Sequence, residues 1–282
     1  MENNNLILNR LFTQYMFDDL VENSVNDVYC TIVKRYLKDE NEEKNGEIIS
    51  KIYKYMSKNY RNEYFYQNTI LNKLLLGRHS INTTTALTQI PVGKSKADFI
   101  MINGKAVVYE IKTELDSFER LENQISDYYK AFNNVCVVTC EQNFKKINDL
   151  LNETPVGICI LSNKNTLQFR KEPEENNKKL SHIELFKVLH KNEFKNIITE
   201  YHGKLPDATP AFYYDECLVK FSEISMEILY PMFLKQLKRR NQIKYEFYKN
   251  VPYELKSLMY FYKASKKDYI NLEKFLNDKY RG

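Results

Sequence analysis

Apolar residues in the first part of the chain recur at three- and four-residue intervals. Leu6, Leu8, Leu11, Phe12, Met16, Phe17, Leu20 and Val21 follow this spacing, which predicts helix over residues 6–37. A charged run from Lys38 to Gly46 reads as a solvated loop. Helical patterns follow over 47–58 and 62–76, the second stopped by Gly77. The period then changes. Thr83–Val92 is rich in β-branched residues, and Ala97–Ile102 and Ala106–Thr113 are short apolar runs flanking Asn103-Gly104, a strong hairpin signal. Their apolar positions are successive rather than alternating, which predicts central strands covered on both faces. Ser117–Phe132 is amphipathic, with Leu121, Ile125, Tyr128 and Phe132 on one stripe and Asp116 or Ser117 available as N-cap. Val135–Cys140 and Val156–Leu161 read as buried strands on either side of a helix over 143–152. Helix, three strands, helix, strand, helix, strand is the order of a three-layer α/β domain. The run Lys171–Lys179 reads as a linker, and the remainder from Leu180 is mainly helical, interrupted near Pro206 and Pro210. The predicted organisation is a helical N-terminal region (1–59), an α/β core (60–170) and a mainly helical C-terminal region (171–282).

Composition narrows the class. With 43% hydrophobic residues the chain is too apolar to be wholly disordered. No stretch approaches 18 consecutive apolar residues, so no transmembrane helix and no membrane partner are expected. The opening Met1-Glu2-Asn3-Asn4-Asn5 lacks the basic and apolar regions of a secretory signal. The five cysteines (Cys30, Cys136, Cys140, Cys159 and Cys217) are odd in number and scattered, which fits reduced thiols in a cytoplasmic protein better than a disulfide framework or zinc site. The four histidines show no metal-ligand spacing, and no P-loop, dinucleotide fingerprint or nucleophile elbow is present.

Candidate chemistry concentrates between residues 94 and 130. Asp98 lies in the first arm of the hairpin, and Glu110-Ile111-Lys112-Thr113 ends the second. Glu110 and Lys112 are two apart on a strand and leave by one face. Ionisable groups in apolar strands need partners, because burying a charge alone costs several kcal/mol. The register decides whether Asp98 joins them. A two-residue Asn103-Gly104 turn sets Asp98 opposite Tyr109, with Glu110 on the other face. A three-residue Ile102–Gly104 loop pairs Asp98 with Val108, leaving Asp98 and Glu110 diagonal neighbours. The second, odd-length arrangement allows a site. Two nearby carboxylates repel unless a cation sits between them, and Mg²⁺ or Mn²⁺ takes oxygen ligands. Lys112 could then position a water and stabilise developing negative charge. Lys94 and Lys96 flank the site, where they could touch a scissile phosphate. A structural ion pair and a turn cap are the bland alternatives.

Asp98, the Glu110-x-Lys112 strand end and the downstream Gln124-Ile125-Ser126-Asp127-Tyr128 together resemble the PD-(D/E)XK nuclease superfamily. The last segment is similar to the Q-x-x-x-Y motif of its RecB-like exonuclease branch. The resemblance covers roughly residues 60–162, with Ala97 standing where the family name has proline. It implies a restriction-endonuclease-like core with a mixed central sheet and Mg²⁺-dependent cleavage of nucleic acid, with DNA preferred to RNA. It implies a catalytic set of Asp98, Glu110, Lys112, Gln124 and Tyr128. It also implies a further metal ligand from the first core helix, for which Glu63 is the candidate, expected on the apolar face; a role at the helix dipole competes. Gln124 as an exposed position and Tyr128 as core packing are the alternatives for those two residues.

Charge patterning adds a second candidate surface. Residues 231–267 hold ten Lys or Arg (Lys235, Lys238, Arg239, Arg240, Lys244, Lys249, Lys256, Lys263, Lys266 and Lys267) against Glu246 and Glu254, interleaved with aromatics. Basic residues neutralise phosphates and rings stack on unpaired bases. Lys238, Arg239 and Arg240 are the named nucleic-acid candidates. Arg78 and His79 read as surface residues. Two other functions fit the same sequence: a nucleic-acid- or protein-binding module without turnover, and a phage- or defence-associated regulator whose helical regions receive a protein partner or a second copy of the chain.

Overall fold

The computed structural model describes residues 5–37, 43–77, 83–241, 243, 245–262 and 264–281. The residues 38–42, Arg78, His79, Lys244 and Lys263 of the sequence reading therefore lie outside the described residues. In chain order the elements are α1 (Leu6–Leu11), α2 (Gln14–Asn23), α3 (Asp27–Tyr36), α4 (Asn45–Asn59), α5 (Glu63–Ile70), β1 (Thr85–Val92), β2 (Ser95–Asn103), β3 (Lys105–Lys112), α6 (Leu121–Tyr128), β4 (Val135–Thr139), α7 (Phe144–Leu151), β5 (Gly157–Leu161) and β6 (Leu167–Lys171). Then come α8 (His182–Val188), α9 (Lys191–His202), α10 (Tyr213–Ser222), α11 (Met226–Lys238), α12 (Tyr245–Tyr248), α13 (Lys256–Phe261) and α14 (Lys266–Asn277). The architecture is α/β, as the element pattern predicts. No described helix is long and apolar enough to cross a membrane.

The single helix expected over 6–37 is three. Thr13 and Asn26 take extended backbone and restart the chain, and the Asn26 side chain accepts the Tyr29 N–H in the manner of an N-cap. Helix α5 passes into a π-helical stretch, Leu71–Leu76. Strand β6 had no counterpart in the sequence reading.

Two compact units form, and they are not consecutive thirds of the chain. The first joins residues 1–78 to 242–282 with the short 162–166 segment; the second holds 79–161 and 167–241. The expected linker at 171–179 divides nothing. Its backbone is bonded into the second unit: Glu174 N–H donates to Pro155 O at 2.9 Å and Asn176 N–H to Asn133 O at 2.8 Å. In the first unit a buried Asn45 joins three helices, accepting from the Tyr29 hydroxyl (3.0 Å) and donating to Phe275 O (3.1 Å). Both polar ends of that amide are thus used, as burial requires.

The second unit carries one six-stranded sheet in order β1-β2-β3-β4-β5-β6. Only β3–β4 and β4–β5 pair in parallel. Their crossovers contain α6 and α7, and right-handed crossovers running the same way put both helices on one face. Ile100, Ile102, Ala106, Val108, Val135, Val137, Ile158 and Ile160 form that face and share a core with Leu121, Ile125, Ile147 and Leu151. Helices α8 to α11 enter the same core through Leu185, Phe186, Ile197, Phe221, Leu229 and Phe233. On the opposite face Phe99, Met101, Tyr109, Cys136, Val138 and Cys159 are also buried, so the successive apolar runs do correspond to strands buried on both sides.

Gly157, buried at the start of β5, meets the chain after β6 at close range. A Cβ there would lie 2.6 Å from the backbone nitrogen of Pro173. Replacing Gly157 by Ala is expected to destabilise the protein by about 1–3 kcal/mol through overpacking. Urea unfolding of Gly157→Ala checks this, and an unchanged midpoint would mean the two segments do not press together.

Candidate active site

The hairpin register brings the two acids to one face. The β2–β3 ladder runs from Asn103↔Lys105 to Phe99↔Tyr109, with Gly104 alone at the tip in a left-handed conformation (φ 75°). The loop is odd in length, but its centre is Gly104 rather than Asn103. Continuing this register sets Asp98 directly opposite Glu110, where either register considered from sequence put another residue there. Directly opposed residues have Cβ atoms about 4.5–5.5 Å apart. The regular ladder stops one pair short of them, at Phe99↔Tyr109. The N–H of Ile111 donates to Asp98 Oδ2 at 2.9 Å, so a side chain takes the place of a ladder partner.

Glu110 is 1% exposed and is held by three donors. Lys112 Nζ lies 2.9 Å from its Oε1, Gln124 Nε2 donates to the same oxygen at 2.6 Å, and the Tyr128 hydroxyl lies 2.6 Å from Oε2. Lys112 Nζ also donates to Gln124 Oε1 at 2.9 Å. Gln124 and Tyr128 are four apart on α6, hence on one face of the helix. That face is apolar elsewhere, and α6 packs on β2. The Tyr128 hydroxyl is also 3.0 Å from the carbonyl oxygen of Lys96. Burial first, then the charge and hydrogen bonding of Glu110, then the charge of Asp98 push the Tyr128 phenol far up, so it stays protonated and can only donate or accept hydrogen bonds. Tyr128 is therefore both packed in the core and part of the polar cluster, and Gln124 is half-buried in it.

A second set of bonds fixes the end of β3. The Thr139 hydroxyl donates to Lys112 O (2.7 Å), and Asn143 Nδ2 donates to Thr113 O (3.1 Å). Asp116 accepts from both the N–H and hydroxyl of Thr113 at 2.7 Å, so it closes the strand end instead of capping α6, whose N-cap is Arg120. On the other side of Asp98, Gln89 of β1 sits in the left-handed region (φ 54°) between the pairs Thr88↔Phe99 and Ile90↔Ala97. Non-glycine residues held there carry strain of about 1–3 kcal/mol, and such strain gathers at functional sites. Gln89, Thr139 and Asn143 were not singled out by sequence. A left-handed glutamine leaves no compositional trace, and threonines and asparagines at strand ends are common.

The remaining candidates are placed as follows. Lys94 and Lys96 are exposed, in the β1–β2 turn and at the start of β2. Lys96 and Asp98 are two apart on the strand and share a face. Glu63 is exposed in the first turn of α5, within the first unit, and is not on the apolar face expected for it; Phe65, Tyr66 and Ile70 are. Lys238 and Arg239 are exposed at the end of α11. Arg240 is committed elsewhere: its Nε donates to Glu193 Oε1 at 2.7 Å and a terminal nitrogen to Val188 O at 2.9 Å. Lys235 likewise pairs with Glu200 at 2.8 Å, and Lys256 donates to the carbonyls of Tyr248 and Lys249. The basic stretch 231–267 is divided between the two units after Asn241.

The oxygen chemistry of the pair suits a hard divalent cation. Mg²⁺ keeps several waters and is usually held by one or two carboxylates together with substrate phosphates. Asp98 and Glu110 supply two such carboxylates. Among the described residues no group of three or more His, Cys, Asp or Glu side chains is arranged to hold a metal ion.

Fold and site together define an α/β protein with a carboxylate–lysine cluster at the carboxyl end of a central strand. The family model described as bacteriophage P4 protein cII matches residues 56–261, well over half of the chain, and the chain belongs to that family. No curated protein and no solved structure matches it.

Two measurements test the electrostatics described. Removing the carboxylate in Glu110→Ala strands the largely buried Lys112 ammonium and is expected to cost about 3–5 kcal/mol. Tyr128→Phe, which leaves Glu110 two donors, should cost about 1 kcal/mol. Equal losses in urea unfolding would mean that Glu110 is not a buried ion. The second concerns Glu193. Burial raises its pKa, but the hydrogen bonds from Arg240 and from the His190 N–H outweigh this and hold it below the usual glutamate value. A depressed carboxylate contributes stability above its unfolded pKa of about 4.3 and loses it as pH falls through the lower folded value. Between pH 6 and 3 the wild type should therefore lose stability more steeply than Glu193→Gln; parallel curves would refute the pairing.

Proposed function

We propose that this protein is a metal-dependent phosphodiesterase with a restriction-endonuclease-like core, cleaving nucleic acid, with DNA preferred to RNA. The observation that carries the reading is the meeting of Asp98, Glu110 and Lys112 on one face of a hairpin, joined there by Gln124 and Tyr128 from the following helix. The site also lies at the carboxyl end of β3, beside a parallel neighbour, where open α/β sheets bind ligands. Asp98 and Glu110 would hold Mg²⁺ or Mn²⁺. A bound divalent ion would supply charge neutralisation and a more acidic water.

The chain's own groups do the rest. Lys112, fixed between Glu110 and Gln124, orients the attacking water and offsets the negative charge that grows on phosphate. The water oxygen bonds to phosphorus and releases one proton to solvent, the bond from phosphorus to the departing sugar oxygen breaks, and that oxygen takes a proton from solvent. Tyr128 and Gln124 keep Glu110 in place during these events. Lys94 and Lys96 neutralise phosphates beside the scissile one. A cytoplasmic location and a phage or defence setting go with this reading, and the family's phage name supports the second.

A second reading is a regulator that binds nucleic acid or protein on the same fold without turnover. The saturation of Glu110 by Lys112, Gln124 and Tyr128 favours it, because an anion so fully engaged makes a stable core feature without any metal.

Cleavage of single-stranded, duplex and nicked DNA and of RNA, with Mg²⁺ or Mn²⁺, decides between them. Asp98→Ala and Lys112→Ala should each lower the rate by about 100-fold or more, the first with its melting curve little changed, the second with a loss of stability as well because it strands the buried Glu110. Undiminished metal-dependent cleavage in both purified variants would refute the assigned roles. Tight binding of one partner with no turnover of any substrate would establish the second reading.

A further inference from the structure

The turn between β1 and β2 is bound to α6 by a residue that the catalytic set does not use. Asp127 is 9% exposed and directly precedes Tyr128. Its Oδ2 accepts from the Lys94 N–H (3.1 Å) and from the Ser95 hydroxyl (2.8 Å), while its Oδ1 accepts from Lys130 Nζ (2.7 Å). Burial works against its charge, yet the bonds from Lys130, Ser95 and Lys94 prevail and hold the carboxyl below its ordinary value. Gly93 completes the joint. Its φ is 60°, its N–H donates to Glu184 Oε2 at 3.1 Å, and a Cβ on it would fall 2.6 Å from Asp127 Oδ1. Only glycine meets both the backbone angle and that approach.

Two consecutive residues of one helix therefore fix two parts of one short segment. Asp127 holds the backbone of Lys94 and the side chain of Ser95, and Tyr128 reaches the carbonyl of Lys96 while touching Glu110. The exposed Lys94 and Lys96 are thus set at a fixed offset from Asp98 and Glu110. A basic turn tied only by its own two-residue tip would pivot; the two bonds to Asp127 on a core helix remove that freedom before any ligand arrives, which lowers the ordering cost of binding.

We propose that Asp127 is a positioning residue that presents the Lys94–Lys96 turn to substrate phosphates next to the cleavage site. This rests on the phosphodiesterase reading. Asp127 touches no reacting atom, so its loss acts on substrate capture and leaves the chemical step largely alone.

The experiment compares wild type, Asp127→Asn and Ser95→Ala in the full chain, measuring kcat and KM on a fluorescent DNA oligonucleotide with Mg²⁺ across a salt series. Asp127→Asn leaves one neutral acceptor oxygen for three donors, with an amide N–H group facing one of them, and should raise KM about 10-fold with kcat within about twofold. The slope of log KM against log salt should fall by about one, the signature of a lost phosphate contact. Ser95→Ala removes one bond of the joint and should move KM the same way, by about two- to threefold, which keeps the test available if the Asp127 variant does not fold. A shift in melting temperature alone, with KM and salt slope unchanged in both variants, overturns the positioning role and leaves the nuclease reading intact. A fall in kcat at constant KM overturns it as well. A wild-type chain that cleaves nothing removes the underlying reading and this inference with it.

Discussion

The structure turns on one buried anion. Glu110 sits 1% exposed among apolar strands, where an unpaired charge costs several kcal/mol. Its compensation comes from two places: Lys112 two residues along the same strand, and Gln124 with Tyr128 one helical turn apart on α6. Those donors reach the carboxylate in one placement of α6 on the sheet only. The apolar stripe of Leu121, Ile125 and Tyr128 makes the helix pack, but packing alone tolerates small slides and rotations. The polar contacts do not, since a half-satisfied network is costlier than none. Core and site therefore specify each other through the same helix.

What the sequence made legible follows from this. Strand periodicity put Glu110 and Lys112 on one face, and helical periodicity put Gln124 and Tyr128 on one face, because both depend only on spacing. The hairpin register was less accessible. Asn103-Gly104 has the form of a two-residue turn, yet Gly104 turns the chain alone, and a one-residue difference in register moves every side chain to the other face. That single step decides whether Asp98 meets Glu110 at all. Parity could be inferred from chemistry, by asking what would leave two acids on one face, but the identity of the tip residue depends on a backbone angle that many sequences permit.

Other features were hidden for different reasons. The run 171–179 has the composition of a solvated linker, and composition does not show that backbone groups of Glu174 and Asn176 find partners in the sheet unit. Strand β6 alternates between half-buried and exposed positions and ends in charges, so it lacks the apolar run that marks β3 and β4. A count of lysines and arginines gave the 231–267 stretch a strong positive balance. The count omits acids that come from elsewhere in the chain, and Glu193 and Glu200 of α9 answer Arg240 and Lys235. Net charge along a sequence describes a surface only after such long-range pairs are removed.

The arrangement around Asp98 shows why the site and the fold are in tension. A regular sheet would pair Asp98 on both sides through its backbone. Here Gln89 adopts a left-handed backbone on one side, and on the other the Asp98 carboxylate itself takes the Ile111 N–H. Each departure weakens the ladder, and the second turns the Asp98 carboxylate toward β3. Stability regained by straightening the strands would turn the Asp98 side chain from acceptor of a neighbouring N–H into an ordinary strand residue, and the two acids would lose their fixed separation. Bonds farther out, from Thr139 to Lys112 O and from Asn143 to Thr113 O, hold the end of β3 just beyond the point where its pairing with β2 is interrupted. The local irregularity is thus confined between regular segments, which is how a sheet can keep a strained, charged point without unravelling at its centre.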